Sequence, residues 1–197
     1  MISTTRAIVT CTAVLAVTLL VAACQTTPEI VFTEPEVTTA RLGSTDRVHQ
    51  CGSVMLASQP AEADIAAIEA QGYRSVLNLR TQGEMDQLDF DEREMLTSQG
   101  IGYHQIGIGG AEGLTDAVFD EVRAILSDAD NHPLLVHCAS ANRVGAVWLA
   151  HRVLDAGLDY ENALAEAKVV GLRSPALEQA ARDYIYRQRG QGERVTH

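Results

Sequence analysis

The stretch Leu134-Leu135-Val136-His137-Cys138-Ala139-Ser140-Ala141-Asn142-Arg143-Val144-Gly145 decides how the whole chain is read. It begins as a short apolar run, a pattern that suits a buried strand. A cysteine follows where that strand would end. Four small or polar residues separate it from Arg143, which opens an apolar helical pattern. Ligands of open α/β sheets bind at the carboxyl ends of strands. A helix N-terminus placed there presents N–H groups and the positive end of its dipole. Both favour a thiolate, the nucleophilic form of cysteine. Arg143 adds a planar fork that matches an oxyanion. Strand, cysteine, small loop, arginine and helix together make a design for attack on an anionic group.

Working outward, strand and helix patterns alternate. Ser53 to Ala57, Tyr73 to Leu79, Ile101 to Ile108 and Pro133 to Val136 read as strands. Pro60 suits the first turn of a helix that Gly72 stops. Glu84 to Ser98 is acid-rich and reads as one helix. Thr115 caps a helix running through Ser127, with Val118, Phe119, Val122, Ile125 and Leu126 on one face. Val144 to Ala156, Asp159 to Val169 and Ser174 to Arg189 read as the closing helices. Such alternation predicts an α/β domain with a mostly parallel central sheet flanked by helices. The domain is expected over residues 46–189, after a tether at 24–45 and before a polar tail at 190–197.

The run His137-Cys138-Ala139-Ser140-Ala141-Asn142-Arg143-Val144-Gly145-Ala146 resembles the active loop of the tyrosine-phosphatase-like domains of the beta-lactamase-hydrolase-like family. Ala57-Ser58-Gln59-Pro60, the stretch Gly72 to Arg80, and Gly171-Leu172 resemble the same family at similar spacing. The similarity covers about Val48 to Tyr184. It implies a three-layer cysteine-phosphatase fold and a phosphorylated or other anionic substrate. Carried onto this chain, Cys138 would attack phosphorus and Arg143 would bind the phosphoryl oxygens. Backbone N–H groups of Ala139, Ser140, Ala141, Asn142 and Arg143 would cradle the rest.

The chain departs from the phosphatase pattern in three places. Phosphatase loops usually hold five residues between cysteine and arginine; this one holds four, the spacing typical of rhodanese-type sulfurtransferases. Val144 stands where phosphatases usually carry serine or threonine. Ala141 stands where relatives often carry glycine, so a positive φ there would cost about 1 kcal/mol. Two further readings therefore stay open: sulfur transfer through a Cys138 persulfide, and a non-catalytic anion-binding module. Dephosphorylation also needs a proton donor to the leaving oxygen. Glu112, on the glycine-rich loop, is the first candidate and Asp116 the second. His137 either tunes Cys138 or bonds the backbone. Arg80 either widens the anion site or lies on the surface.

The N-terminus carries its own signal. Met1 to Arg6 holds one positive charge, and Ala7 to Val21 is almost wholly apolar, as in an export signal. Val21-Ala22-Ala23-Cys24 resembles the lipobox of bacterial lipoproteins. The resemblance implies cleavage after residue 23, lipidation of Cys24, and anchoring to a membrane, with Gln25 fitting the periplasmic face of an outer membrane. Of four cysteines, Cys11 would leave with the signal, so Cys51 and Cys138 would remain as thiols. Cys51 then reads as a buried residue, a structural disulfide to Cys138, or a reversible redox partner of it. From residue 24 onward 14 Lys and Arg oppose 26 Asp and Glu, a balance of −12. That field repels nucleic acid and argues against it as a partner. His49, His104, His132, His137, His151 and His197 show no paired-ligand spacing, so no metal site is expected. No glycine-rich dinucleotide fingerprint follows a strand, and no organic cofactor is expected.

Overall fold

The computed structural model describes residues 35–195, with side chains through residue 190. Cys24, expected to carry lipid, the expected export segment and the first part of the expected tether lie outside the described residues. No helix among the described residues is long and apolar enough to cross a membrane.

Among the described residues six strands form one sheet in the order β1-β2-β3-β6-β4-β5. They are β1 (Thr38–Thr39), β2 (His49–Cys51), β3 (Val54–Ala57), β4 (Ser75–Asn78), β5 (Gly102–Gln105) and β6 (Leu134–His137). The four from β3 to β5 are parallel, while β1 and β2 add on antiparallel at one edge. The parallel strands are short and β3, β4 and β6 are buried throughout. This is the signature of strands covered on both faces.

Alternation along β6 sorts the two faces. Leu134 and Val136 point into one apolar cluster with Phe119, Trp148 and Tyr184. Leu135 points into the other, with Ile65, Ile68 and Leu96. The first face is covered by α4 (Asp116–Ser127), α5 (Asn142–Leu154), α6 (Tyr160–Val170) and α7 (Pro175–Val195). The second is covered by α1 (Ile65–Ala70) and α3 (Glu92–Ser98), with the single turn of α2 (Gln82–Met85) between β4 and α3. Strand β6 leads into α5 on one face, whereas its neighbours β3 and β4 lead into helices on the other. Their divergence opens a crevice at the carboxyl end of β6, the topological switch point at which α/β sheets bind ligands.

The mostly parallel α/β fold is as expected, and several boundaries differ. The domain begins before Asp46: Thr38 and Thr39 pair with β2, and Leu42 is fully buried. The carbonyl of Pro35 accepts from Cys51 Sγ at 3.1 Å and from Arg152 Nη2 at 3.0 Å. At the other end, α7 continues through the expected tail to Val195. The single helix expected over Glu84 to Ser98 is two, because Thr81 and Asp91 each cap a new start.

Candidate active site

The loop Cys138 to Asn142 joins β6 to α5 at this crevice. Cys138 follows the last residue of β6, so alternation turns its side chain toward the α5 face, where it is 1 % exposed. Bulk water is excluded from the thiol. A cavity of about 350 Å³ opens over the loop, lined by Ser140, Asn142 and Arg143, by Glu84, and by Gly109 to Ala111, with Cys138 buried behind this lining. The start of α7 closes it through Ser174, Ala176 and Leu177. A larger cavity, about 480 Å³, lies on the far side of α2 near Tyr103 and touches no residue of the loop.

Arg143 is held by Glu84, a residue whose role in the site the sequence does not announce. Nη1 donates to Oε2 and Nη2 to Oε1, both at 2.7 Å. Nη1 also donates to the carbonyl of Ile108 at 2.6 Å. A guanidinium carries five N–H donors. These bonds use the end-on edge and the outer hydrogen of Nη1. The side-on edge, Nε together with the second hydrogen of Nη2, takes no part in the bonds to Glu84 and Ile108, and the guanidinium also interacts with the Cys138 side chain. The hydrogen bonds from Glu84 are the main cause of a raised Arg143 pKa; burial works against it, and the charge of Cys138 adds to the rise. In return Arg143 draws the Glu84 carboxyl down to about 2, against a smaller opposing effect of burial.

Glu84 is itself fixed. It forms a capping box with Thr81, accepting from the Thr81 amide at 3.0 Å. Arg80 donates to the Glu84 carbonyl at 2.9 Å and to Gln59 Oε1 at 2.6 Å. Arg80 is buried and does not line the cavity at the loop, so it is neither a surface residue nor part of that cavity's wall. It is a strut behind α2. The Ala57 to Pro60 stretch enters through Gln59 in the same way.

His137 faces the opposite side of the sheet from Cys138. Its Nε2 lies 2.8 Å from Glu92 Oε1, with both side chains fully buried. Neither atom has another hydrogen-bond partner, so the two side chains face each other as a buried pair. Glu92 Oε2 accepts from Gln59 at 3.2 Å. Burial raises the Glu92 pKa, but the charge and contact of His137, with help from Gln59 and Arg80, bring it below the ordinary carboxylate value. His137 therefore anchors α3 to the sheet rather than bonding the backbone.

Ala141 has φ 61° and ψ 2°, the left-handed conformation that favours glycine. An alanine there costs about 1 kcal/mol. Gly171 makes room for it: a Cβ on Gly171 would lie 3.0 Å from the Ala141 methyl. Asn142 Oδ1 accepts from the amides of Arg173 at 2.9 Å and Ser174 at 3.2 Å, and so ties the loop to the start of α7. Gly145 is required for a different reason. A Cβ there would lie 2.7 Å from backbone atoms of Ala167 and Leu172, so α5 approaches α6 only through glycine.

Glu112 sits exposed on the turn Ala111–Gly113 and folds its carboxylate over Gly110, which lines the cavity. Asp116 is engaged elsewhere, in an ion pair with Arg187 at 2.5 Å. Cys51 pairs with Val54, and Val54 with Leu134, so Cys51 stands level with Leu134, four residues before Cys138. At about 3.3 Å per residue the offset is roughly 13 Å. A disulfide needs Cα atoms within about 7 Å. Neither the structural bridge to Cys138 nor the internal redox partner is compatible with this sheet. Among the described residues no group of three or more His, Cys, Asp or Glu is placed to hold a metal ion.

No protein-family model matches the sequence, and no curated protein matches it. Solved structures do resemble the fold. TpbA of P. aeruginosa superposes with a TM-score of 0.60 at 19% identity, covering 77% of this chain and 89% of that one. A variant of TpbA in complex with phosphotyrosine gives 0.59 at 17% identity over 77% and 88%. The core catalytic domain of the PP-IP phosphatase Siw14 of S. cerevisiae, in complex with citrate, gives 0.60 at 18% identity over 76% and 94%. Together with the sheet order and the placement of the loop at the end of β6, these likenesses establish that the chain has the cysteine-phosphatase fold.

Proposed function

We propose that the protein is a cysteine-dependent phosphoric monoester hydrolase. The observation that carries this reading is the Glu84–Arg143 pair: it fixes a charged guanidinium that also interacts with the Cys138 side chain, so thiol and arginine stand together at the loop. In the first step Cys138 Sγ attacks phosphorus and the P–O bond to the leaving alcohol breaks. The oxygen takes a proton from a general acid as it departs. Glu112 is the candidate donor, since its carboxylate lies over the cavity wall whereas Asp116 is spent on Arg187. Water then attacks the phosphocysteine, the S–P bond breaks, and phosphate and thiolate are regenerated. Arg143 and the backbone N–H groups of the loop offset the charge on the equatorial oxygens throughout. The substrate reading stays at a phosphorylated, anionic compound; TpbA and Siw14 crystals hold phosphotyrosine and citrate, which suits an anion site.

The likeness to the tyrosine-phosphatase-like domains of the beta-lactamase-hydrolase-like family, and carriage on a membrane through lipidated Cys24, belong to the same proposal. Sulfur transfer is the second reading, favoured by the four-residue loop. The test is aryl phosphate hydrolysis by the reduced protein and by Cys138→Ser, in parallel with sulfur transfer from thiosulfate to cyanide. Phosphate release that disappears in the variant supports the hydrolase. Sulfur transfer alone sinks it, and a folded protein silent in both assays points to an anion-binding module. For the anchor, metabolic labelling with a fatty acid that Cys24→Ser does not abolish would remove the lipoprotein reading.

A further inference from the structure

We infer that Arg173 is a positioning residue, which with the α6–α7 connection holds the anion loop in its strained shape. Three consecutive loop residues each dock on that connection. Arg173 Nη1 donates to the Ser140 carbonyl at 3.1 Å, and Nη2 to Ser140 Oγ at 2.7 Å. The Ala141 methyl lies against Gly171. Asn142 Oδ1 accepts from the amides of Arg173 and Ser174. Ser140 is also bridged on its other side to Ser58, so Arg173 completes a clamp.

The need for a clamp follows from the chemistry of the loop. A glycine at position 141 would adopt φ 61° at no cost; alanine does not. With four residues between Cys138 and Arg143, a shift at Ala141 would re-aim the amides on both sides of it. Arg173 spends both hydrogens of Nη1, on Ser140 and Gly171, and one of Nη2 on this task. It has no carboxylate partner among the described residues, and it does not line the cavity. It acts through Ser140 rather than on the substrate. The inference rests on reading the loop as an anion site, and does not require that phosphate is hydrolysed there.

The experiment compares the protein with Arg173→Ala, Arg173→Lys and the double variant Arg173→Ala/Ala141→Gly. Tungstate serves as the probe, and amide hydrogen exchange over residues 139–143 reports loop order without any ligand. Loss of the two hydrogen bonds from the guanidinium to Ser140 should weaken tungstate binding about tenfold in Arg173→Ala, and exchange should quicken at Ser140 to Arg143. Lysine restores one prong and about half of the loss on a logarithmic scale. Glycine at 141 removes the strain, so the double variant should recover most of the affinity. Unchanged protection of the loop in Arg173→Ala overturns the inference, whatever the anion affinity. So does an affinity loss that glycine fails to reduce, because Arg173 would then contact the anion itself. Restored tungstate binding in a protein without phosphatase activity would sink the hydrolase and leave the clamp standing.

Discussion

Helix α5 carries an arginine–carboxylate pair at each end, and the two use opposite edges of the guanidinium. At its last turn Arg152 presents Nε and Nη2, the side-on edge, to Glu166 at 2.7 and 3.0 Å. Nη2 also donates to the Pro35 carbonyl, and the guanidinium lies over Trp148. At the first turn Arg143 presents its end-on edge to Glu84, and the Cys138 thiol, not a second carboxylate, is its other side-chain partner. Side-chain exposures follow the same contrast: 4 % and 17 % for Arg152 and Glu166, against 13 % and 31 % for Arg143 and Glu84. The same residue type, on the same helix, is a strut in one place and a ligand-ready fork in the other. Which edge the carboxylate occupies makes the difference.

Substitutions at the two ends should separate activity from stability. Arg143→Lys removes the fork but keeps a charge, so kcat/KM for an aryl phosphate should fall by ~10²–10³, with little change in Tm. A variant with near-normal kcat/KM would show that the side-on edge does not bind substrate. Arg152→Ala should do the reverse. It leaves Glu166 charged and mostly buried, and should cost about 3 kcal/mol in denaturant unfolding while kcat stays within about twofold. Equal losses of activity at both ends would erase the contrast.

Glu84→Gln tests the support behind the fork. One prong survives, so kcat/KM should drop roughly tenfold. No change would mean that Ile108 alone orients Arg143. The smallest effect concerns pH. The Glu84 carboxyl ionises at about 2 in the folded protein, below its ordinary 4.5. A depressed carboxylate stabilises the fold fully above its ordinary value and loses that contribution as pH falls toward the folded value. The Tm difference between the protein and Glu84→Gln should therefore be constant above pH 4.5 and shrink steadily toward pH 2. A difference that vanishes already at pH 5 would show that the pair is not formed as described.

The parallel sheet was legible because short apolar runs alternated with capped, amphipathic helices, and Thr115 and Asp159 do cap α4 and α6. The edge strands β1 and β2 were not. Thr38–Thr39 lies between Pro35 and buried Leu42 in a stretch rich in Thr, Glu and Pro, and its partner β2 is only three residues long. Pairing there comes from the sheet edge and not from local pattern. The break between α2 and α3 was signalled by Asp91, a capping residue within what looked like one acidic helix, while Thr81 caps the separate turn that precedes it. Within the site, Cys138, Arg143 and the strain at Ala141 could be read from the loop alone, because strand, loop and helix are contiguous there.

By itself the sequence determined the order of the parallel strands and of the long helices, the cysteine and arginine after β6, and an alanine where the backbone prefers glycine. Only the tertiary structure decided what each charged group does. Glu84 and Arg143 are 59 residues apart, and Arg173 reaches Ser140 across 33. Such pairs leave no periodicity and no spacing, since their partners are chosen by where the crossovers of the sheet bring α2 and the α6–α7 connection. Strand register likewise set Cys51 and Cys138 apart, because four residues along extended backbone exceed the reach of a disulfide.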